Sequence, residues 1–464
     1  MLYDIDFLKI GKTFPPEEET ERLQLYDENR RLWKGDKSDF KERYLQLFGP
    51  EDLTVWQFNF NWYKKVSKLF ADLLFGEPPV ITCGAKEQEF LDVIVRQSDL
   101  VSVGHSIAID LSRYGDAIFK PILHNNMAII DSLSPGYWFP VFDPQTRKKI
   151  MAHYIIWGID DVLYVEIHTP GQLEYRQYSI KGGKINNLLE SVVTNTNVDS
   201  PLIVPIHNLM TSEDLFGIDD YGDIETIVCE LETRFSQWAR ILDKHSDPNV
   251  YGPSSLIKPN PVTGQAEVDL VNKYIGLRPG DTPPGYLVWD AQLSAVVQEI
   301  DQLMKQFYAL SETSPALFGE LQAGLAQSGT ALQRLLLAPL MKVNRLKNTF
   351  DKKIKEVLSL TSQLAVENNI SNAVLINAED IQITWQDGLP NDFTEQVANE
   401  STAVNSGLTS QESAMMRLYG LRGQALTDEV NKVKAEQATK QTTNQPNPPG
   451  LKLPTLAETL NANK

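Results

Sequence analysis

One serine lies in a context close to that of a hydrolase nucleophile. Residues 104–108 read GHSIA, one residue away from the G-x-S-x-G elbow that presents a catalytic serine. The elbow needs a strand before the serine and a helix after it, but residues 87–96 have the charged pattern of a helix. No His-Gly-Gly segment supplies an oxyanion hole. We therefore expect no catalytic role for Ser106.

The other candidates for chemistry are equally sparse. Residues 11–13 (GKT) would end a phosphate-binding loop only if position 6 were glycine, and it is Asp6. The six histidines lack the H-x-x-x-H and H-E-x-x-H spacings of metal sites. His153 and His168 fall on neighbouring predicted strands and could meet across a sheet. A structural pair is favoured there over a metal site.

Adjacent carboxylates and thiols also fit structural roles. The aspartate pairs at 160–161 and 219–220 each precede a predicted regular element, where aspartates form turns and helix caps. Cys83 and Cys229 form neither a disulfide framework nor a paired metal motif, which indicates two reduced, buried thiols. The sequence thus predicts no catalytic, metal or cofactor site, and no enzyme.

The net charge of −18 bears on the class of partner. A protein that grips duplex DNA usually has a basic patch, because neutralising phosphates supplies much of the affinity. An acidic chain argues against ordinary DNA binding, yet it suits a channel wall that DNA must slide past without sticking. Many soluble proteins are acidic, so charge alone does not decide between these classes.

The sequence begins without the basic and apolar regions of a signal peptide, and no apolar run approaches the length of a membrane span. We expect no membrane association.

The pattern of apolar residues divides the chain into helical and β-rich parts. Residues 1–114 are predicted to be mainly helical, whereas residues 115–218 hold short runs of β-branched and aromatic residues separated by turn residues. We predict antiparallel strands over 117–123, 151–157, 162–168 and 174–180, with a polar loop over 192–199. The fold class is therefore α+β.

Two amphipathic helices, over 219–247 and 291–312, flank a proline-rich stretch, 248–290. Seven prolines in that stretch suit a small module of turns and brief strands. The chain therefore leaves along one helix, builds a protrusion and returns along the other.

A loop of small residues, 313–328, leads into a second long helical pattern, 329–366. Pro339 lies inside that pattern, and apolar periodicity resumes beyond it, which predicts a kink. A strand over 380–385 is expected to rejoin the β region and complete the segment 329–390. Helices are predicted over 391–436, with breaks at Gly407 and Gly420. Residues 437–464 are polar and proline-rich, which predicts a disordered tail.

Four stretches, in this order along the chain, resemble the portal proteins of tailed bacteriophages, of the long-tailed siphophage type. They are ADLLFGEPP at 71–79, the acidic helix at 222–244, SGTAL at 328–332 and ITWQDGLP at 383–390. Each is short, and the order and spacing together make the likeness specific.

The resemblance implies a fold with a helical stem, a long kinked helix, an antiparallel β wing, a small clip and a helical crown. It assigns the parts as follows: helical wing 1–114, β wing 115–218, stem 219–247 and 291–312, clip 248–290, tunnel loop 313–328, long helix and wing strand 329–390, crown 391–436, tail 437–464.

The implied function is that of a head-to-tail connector without catalysis. A ring of normally twelve copies would occupy the unique portal vertex of the virion, after synthesis in the host cytoplasm. Double-stranded DNA would pass through its channel without sequence recognition, driven by the terminase large subunit, and later be ejected. Head-completion or adaptor proteins, the major capsid protein and scaffolding proteins are the other implied partners.

The resemblance also implies roles for particular residues. The channel-lining stem residues would be Glu225, Glu230, Glu232, Glu299 and Asp301. The tunnel-loop residues facing DNA would be Gly319, Gln322, Gly324 and Gln327. Some of the basic residues after the loop, a set that includes Lys342 and Arg345, are expected to pair with the acidic surface of a neighbouring subunit.

Two other classes remain open from the sequence. One is a hydrolase or nucleotidyl-transfer enzyme with a helical domain, which would need converging carboxylates or a nucleophile elbow. The other is a virion scaffold or adaptor that forms no channel. Rings with a central hole in negative-stain images would separate a portal from both.

Overall fold

The computed structural model describes residues 2–36, 45, 58–246, 293–319, 334–386, 393–421 and 423–443, together with short pieces between 250 and 286. The chain divides into two compact units, Met1–Gly388 and Leu389–Lys464, and each is described by itself.

Helices of the first unit precede its sheets. They are α1 (Thr20–Lys34), α2 (Trp62–Phe75), α3 (Gln88–Gln97) and α4 (Leu100–Tyr114), with the short strand β1 (Val80–Thr82) after α2. The side chain of Asn61 begins α2 by accepting a hydrogen bond from the Lys64 N–H. Gly104 stands inside α4 because a Cβ there would lie 2.4 Å from the ring of Phe75. A glycine that weakens a helix is thus explained by close packing.

The predicted antiparallel strands are confirmed and form two sheets. The strands are β2 (Asp116–His124), β3 (Met127–Leu133), β4 (Trp138–Phe142), β5 (Ile150–Ile159), β6 (Val162–Thr169), β7 (Gln172–Lys181), β8 (Lys184–Asn195) and β9 (Val204–His207). One sheet has the order β3-β2-β9 and the other β4-β5-β6-β7-β8. The polar loop predicted over 192–199 is wrong in its first part, because Val192 and Val193 continue the pairing of β8 with β7.

Alternate residues of the five-stranded sheet enter two apolar clusters. Trp138 and Ile155 pack with Ile118 of the three-stranded sheet. Their neighbours Phe139 and Tyr154 face the opposite side of the five-stranded sheet and pack in the other cluster. Successive side chains of these strands point to opposite faces of the sheet, and both faces are buried. The side chains on one face pack against the three-stranded sheet and so hold the two sheets together.

Residues 2–14 form an extended N-terminal strap instead of the helix expected there. Leu2 pairs with Val141 of β4, and Thr13 pairs with Lys184 of β8, so the strap reaches both edge strands of the five-stranded sheet. The apolar residues of the strap lack helical spacing, and Leu8 is buried in the sheet cluster together with Leu2. Tertiary packing, not local helix propensity, therefore determines the conformation of residues 2–14.

A pair of helices follows the sheets, α5 (Glu225–Ser246) and α6 (Leu293–Leu310). The described residues between them include four brief strands: β10 (Val250–Tyr251), β11 (Ile257–Pro259), β12 (Ala266–Val268) and β13 (Gly285–Tyr286). Val250 pairs with Tyr286, so the chain that leaves α5 comes back beside itself before α6. Short strands and turns are what the proline-rich composition predicted.

The long helix α7 (Leu337–Glu367) is preceded by a turn at Leu336 and by two further helical residues, 334–335. Leu336 has φ −99° and ψ 12°, outside the helical region, so Pro339 lies in the first turn of α7 and not in its interior. The kink expected at Pro339 stays a prediction, and the interruption at Leu336 falls in the turn before the proline, where a proline disturbs a helix. A proline is tolerated in a first turn because the N–H that it lacks has no partner within the helix there.

The strand β14 (Gln382–Thr384) pairs with β1, not with the β-rich region as predicted. Ile383 lies opposite Ile81, whose side chain is buried. Among the described residues, no helix is both long and apolar enough to cross a bilayer.

In the second unit, the residues that the structure describes form three helices, α8 (Phe393–Asn405), α9 (Gln411–Tyr419) and α10 (Gly423–Thr443). The predicted breaks are present: Gly407 and Gly420 both have positive φ, and Gly420 caps α9. Arg417 of α9 forms an ion pair with Glu400 of α8. Because α10 runs to Thr443, the tail predicted from residue 437 is helical at its start.

Candidate functional site around the long helix

The structure places the sequence candidates for catalysis in ordinary structural positions. Ser106 lies within α4, so it has no strand-to-helix elbow. Residues 11–13 belong to the extended strap, where the Gly11 N–H donates to the carbonyl of Ile185. The two cysteines form no disulfide, and both are partly exposed, whereas the sequence had indicated buried thiols. Within the described ranges, no group of three or more His, Cys, Asp or Glu side chains could hold a metal ion.

His153 and His168 do meet across the sheet, directly opposite each other on β5 and β6. His153 Nδ1 accepts a hydrogen bond from Trp138 Nε1 at 3.1 Å, and burial lowers the pKa of His153 to about 3. His168 Nε2 lies 3.2 Å from Glu166, which also forms an ion pair with Lys120. The cluster joins the two sheets, and the neutral His153 behaves as a structural acceptor.

Acidic side chains on the α5/α6 helix pair occupy three different environments. Arg234 lies between Glu230 of α5, at 2.8 Å, and Glu299 of α6, at 3.0 Å, and so links the two helices. Asp301 is exposed on α6, and Glu225 is partly exposed at the start of α5.

Glu232 departs from the expected channel-lining role. Its side chain is buried, and it accepts a hydrogen bond from the Phe60 N–H at 3.3 Å. It therefore faces the interior of the subunit. The remaining acidic candidates are Glu225, Glu230, Glu299 and Asp301.

An aromatic anchor fixes the beginning of the predicted tunnel loop. A short 3-10 helix, Pro315–Phe318, follows α6, and the Phe318 ring packs on Trp62, Phe307 and Tyr308 with centroids 5.4–5.9 Å apart. Gly319 ends this turn with φ +91° and open space around its Cα. The other loop residues singled out, Gln322, Gly324 and Gln327, lie outside the described residues.

Four charged residues, here called the junction cluster, meet where α5, α6 and α7 approach one another: Asp220, Glu312, Lys342 and Arg345. The Lys342 ammonium lies 3.0 Å from Asp220, 3.8 Å from Glu312 and 4.1 Å from the centroid of the Phe70 ring. Only 4% of its side chain is exposed. Arg345 Nη2 donates to Glu312 at 2.7 Å.

The junction cluster accounts for part of the basic residues of the long helix, some of which were expected to pair with a neighbouring subunit. Lys342 and Arg345 pair within their own subunit, and Lys355 pairs with Asp351 one helical turn away. The sequence analysis placed Lys342 in a set of bases available to a neighbouring subunit and did not connect it to Asp220. A signal was present, because Lys342 stands beside Val343 and one turn before Leu346 on the apolar stripe. A lysine in that stripe needs a buried partner.

Two stretches that carry the portal resemblance come together around α7. Phe75 of the first stretch and Trp385 of the last have ring centroids 5.7 Å apart. Both rings also contact Phe350 of α7, which is fully buried. The strands that follow Phe75 and precede Trp385 are β1 and β14, which pair with each other. Stretches about 300 residues apart in sequence thus build one contact.

These parts together define a class. A helix pair that leaves into short strands and returns, two antiparallel sheets, and a long helix entered from an anchored loop are the architecture of a phage portal subunit. The family profile "Phage portal protein, SPP1 Gp6-like" matches residues 14–443. The chain belongs to this family of portal proteins.

Comparisons with solved structures give the following similarities. A chain of the "Neck of empty GTA particle computed with C6 symmetry" has 12% identity and a TM-score of 0.44, with 78% of this chain and 90% of that chain covered. A chain of the "Virion of native gene transfer agent (GTA) particle" has 11% identity and a TM-score of 0.44, with 89% and 96% covered. No curated protein sequence matches.

Proposed function

We propose that twelve copies of the chain form a ring whose axial channel occupies one vertex of the capsid. Double-stranded DNA passes inwards through it during packaging and outwards at ejection. The terminase large subunit supplies the motor, head-completion proteins dock on the protruding short strands, and the capsid and scaffolding proteins surround the ring. The subunit itself has no catalytic task. Membership of the portal family supports this proposal.

The observation that carries the ring is the apolar surface left open on α6 and α7. Large apolar side chains that are 40% to 62% exposed are Val297, Leu310, Leu337 and Met341. Burying such surface against neighbouring copies would contribute about 1 kcal/mol for each side chain. Twelve repeats of the contact would add to a stable closed ring.

Replacing two of these residues tests the ring directly. The double variant Leu337→Ser/Met341→Ser should remain folded but assemble only at higher protein concentration than the unmodified chain. Ile10→Ser is the matched control, because Ile10 is 66% exposed and lies in the strap. Native mass measurement and negative-stain images give the oligomeric state. A stable monomer of the unmodified chain at micromolar concentration and every salt concentration would overturn the proposal.

The acidic side chains on the helix pair are proposed to face the channel or its mouth. Glu299, Asp301 and Glu225 would then repel the phosphates of passing DNA, and the unmodified ring would bind linear duplex weakly at physiological salt. Glu225→Lys/Asp301→Lys should create salt-sensitive binding, with each new phosphate contact steepening the salt dependence by about one unit on a logarithmic plot. Glu379→Lys, on an exposed carboxylate elsewhere, is the single-site control for a charge reversal away from the pair. If each reversed charge raised DNA binding equally on the helix pair and at Glu379, the proposal that the acidic side chains of the helix pair face the channel would be contradicted.

The residues around Gly319 are proposed to form the loop that touches DNA. Small, uncharged side chains approach a phosphate backbone without gripping it, and glycines let the loop change conformation at low steric cost. Gly319→Pro would damage the anchor itself, because φ is +91° and the Gly319 N–H donates to Ala316. Gly324→Pro and Gln322→Trp are the cleaner variants. Rings and capsids should form while packaging or retention of DNA fails, and normal packaging by both would contradict the assignment.

A further inference from the structure

The two ends of the loop region are tied to each other by charge. Glu312 is two residues beyond the end of α6, and Lys342 and Arg345 lie in the second turn and third turn of α7. Residues 313–319 stay packed on the subunit through the aromatic anchor, and α7 brings Lys342 and Arg345 back beside Glu312. The contacts of Glu312 with Arg345, at 2.7 Å, and with Lys342, at 3.8 Å, close this loop at its base.

Glu312 has a backbone conformation that is unfavourable for a glutamate. Its φ of +53° lies in the left-handed region, where glycine or asparagine would be adopted more easily. A glutamate there is disfavoured unless its carboxylate gains something from the position. The two cations of α7 supply that gain.

Lys342 connects this base to the beginning of α5 as well. Its ammonium reaches Asp220, which lies five residues before α5, and Asp220 is held in turn by Asn208 Nδ2 at 2.9 Å. The surroundings are largely shielded from water, with 4% and 12% of the Lys342 and Asp220 side chains exposed. Charges attract each other more strongly in such surroundings than at a surface, so a displacement of one partner is felt by the others.

We propose that the junction cluster is a positioning device for the channel loop: Lys342, with Arg345, clamps Glu312 and thereby sets where the loop emerges from the end of α6. Lys342 is the central positioning residue, and Asp220 keeps its ammonium in place. The clamp itself is a statement about this chain, and its consequence for DNA passage rests on the proposed function.

Hydrogen exchange of the assembled full-length protein tests the clamp. The reporters are amides of the anchor, since the Thr313 N–H donates to Tyr308 and the Leu317 N–H to Ser314. In Lys342→Met these amides should exchange about tenfold faster or more, while those of β5 and β6 stay unchanged. Arg345→Gln, at a half-exposed site, should have a smaller effect.

A double variant separates positioning from stability. Lys342→Met/Asp220→Asn removes both buried charges, which restores much of the stability lost in Lys342→Met alone. It leaves Glu312 with Arg345 only, so the anchor amides should remain fast. Recovery of slow exchange together with stability would mean that Lys342 has a merely structural role, and the proposal would be overturned.

Packaging of DNA into particles distinguishes the clamp from the function on which its consequence rests. Rings of Lys342→Met/Asp220→Asn should assemble and package less DNA than unmodified rings. Fast anchor exchange with normal packaging would support the clamp and reject the role of this loop in DNA passage. Unchanged anchor exchange in Lys342→Met would reject the clamp, whatever happens to packaging.

Discussion

The two ends of the long helix α7 are held in different ways. Near its C-terminal end Ile354, Val357 and Leu358 are fully buried, and the helix packs against the three-stranded sheet. Near its N-terminal end Leu337 and Met341 are more than 60% exposed, and Lys342 is held by ion pairs. Apolar packing alone holds the C-terminal part, whereas near the N-terminal end a buried stripe that includes Leu336 and Val343 is supplemented by buried ion pairs. A rigid element anchored at one end can therefore carry a loop whose position is set separately at the other.

Truncating a buried side chain in the packed part of α7 should have the largest effect on the free energy of unfolding. Phe350 is fully buried and contacts Phe75, Phe119 and Trp385, so Phe350→Ala should lower the free energy of unfolding by about 3–5 kcal/mol. Met341→Ala, at the exposed end of the same helix, should change it by less than about 0.5 kcal/mol when no neighbour covers it. Urea unfolding at one fixed protein concentration below the assembly threshold measures both. Similar losses would remove the contrast between the two ends.

Breaking the junction cluster should come next. Lys342→Met leaves the carboxylate of Asp220 poorly compensated in a shielded place, which costs about 3 kcal/mol of unfolding free energy, the lower end for a buried pair. High salt should reduce this loss of stability only slightly, because buried charges are screened weakly. Lys342→Met/Asp220→Asn should recover a large share of it in the same unfolding experiment. A single-variant loss below about 1 kcal/mol would show a surface-like pair.

Acidification should act on the sheet side of the anchored end. Burial, with His168 and Lys353 of α7 nearby, lowers the pKa of His153 from 6.5 to about 3. The unfolded chain binds the proton at the higher pKa, so this group costs stability as pH falls from 6.5 towards 3, by up to about 1.4 kcal/mol per pH unit.

The variant His153→Gln isolates that contribution, since its amide oxygen can still accept from Trp138. Its unfolding free energy should fall less steeply between pH 6.5 and 5 than that of the unmodified chain. The raised pKa of Asp110, about 6 because of burial, acts in the opposite direction, but it is common to both proteins and cancels in the difference. Parallel pH profiles would contradict the buried neutral imidazole.

The smallest effect is expected at the outer side of the junction cluster. Arg345 and Glu312 have side chains 46% and 39% exposed, so Arg345→Gln should cost less than about 1 kcal/mol. The effect should shrink further at high salt, in contrast to Lys342→Met. Unfolding curves at low and high salt for both variants make the comparison.

The sequence predicted elements whose side chains repeat regularly. The runs of β-branched and aromatic residues at 151–157 and 162–168 and the apolar stripe of α6 are local patterns, and the structure has these elements. The strap and the pairing of β14 with β1 were missed, because both depend on partners more than 100 residues away. Short apolar segments without a period do not say where they will pack.

The candidate site was predictable in outline but not in its contacts. The loop was recognised from Pro315, Gly319 and its small residues, and Gly319 does have the positive φ that favours glycine. Glu232 and Lys342 were misassigned because a charge on a helix was taken to face solvent or a neighbouring copy. Their burial follows from Phe60 and Phe70, whose approach only the folded chain reveals.

The N-terminal strap has a consequence for the order of folding. Thr13 finds its partner Lys184 only after some 170 further residues have been synthesised, and Leu2 must wait for Val141. A segment synthesised before every strand of the sheet is therefore among the last to dock on it. Contacts so distant in sequence form slowly, and until then the apolar face that will hold Leu2 and Leu8 is uncovered. During that interval the nascent sheet would avoid aggregation only through chaperones or through rapid docking of the strap.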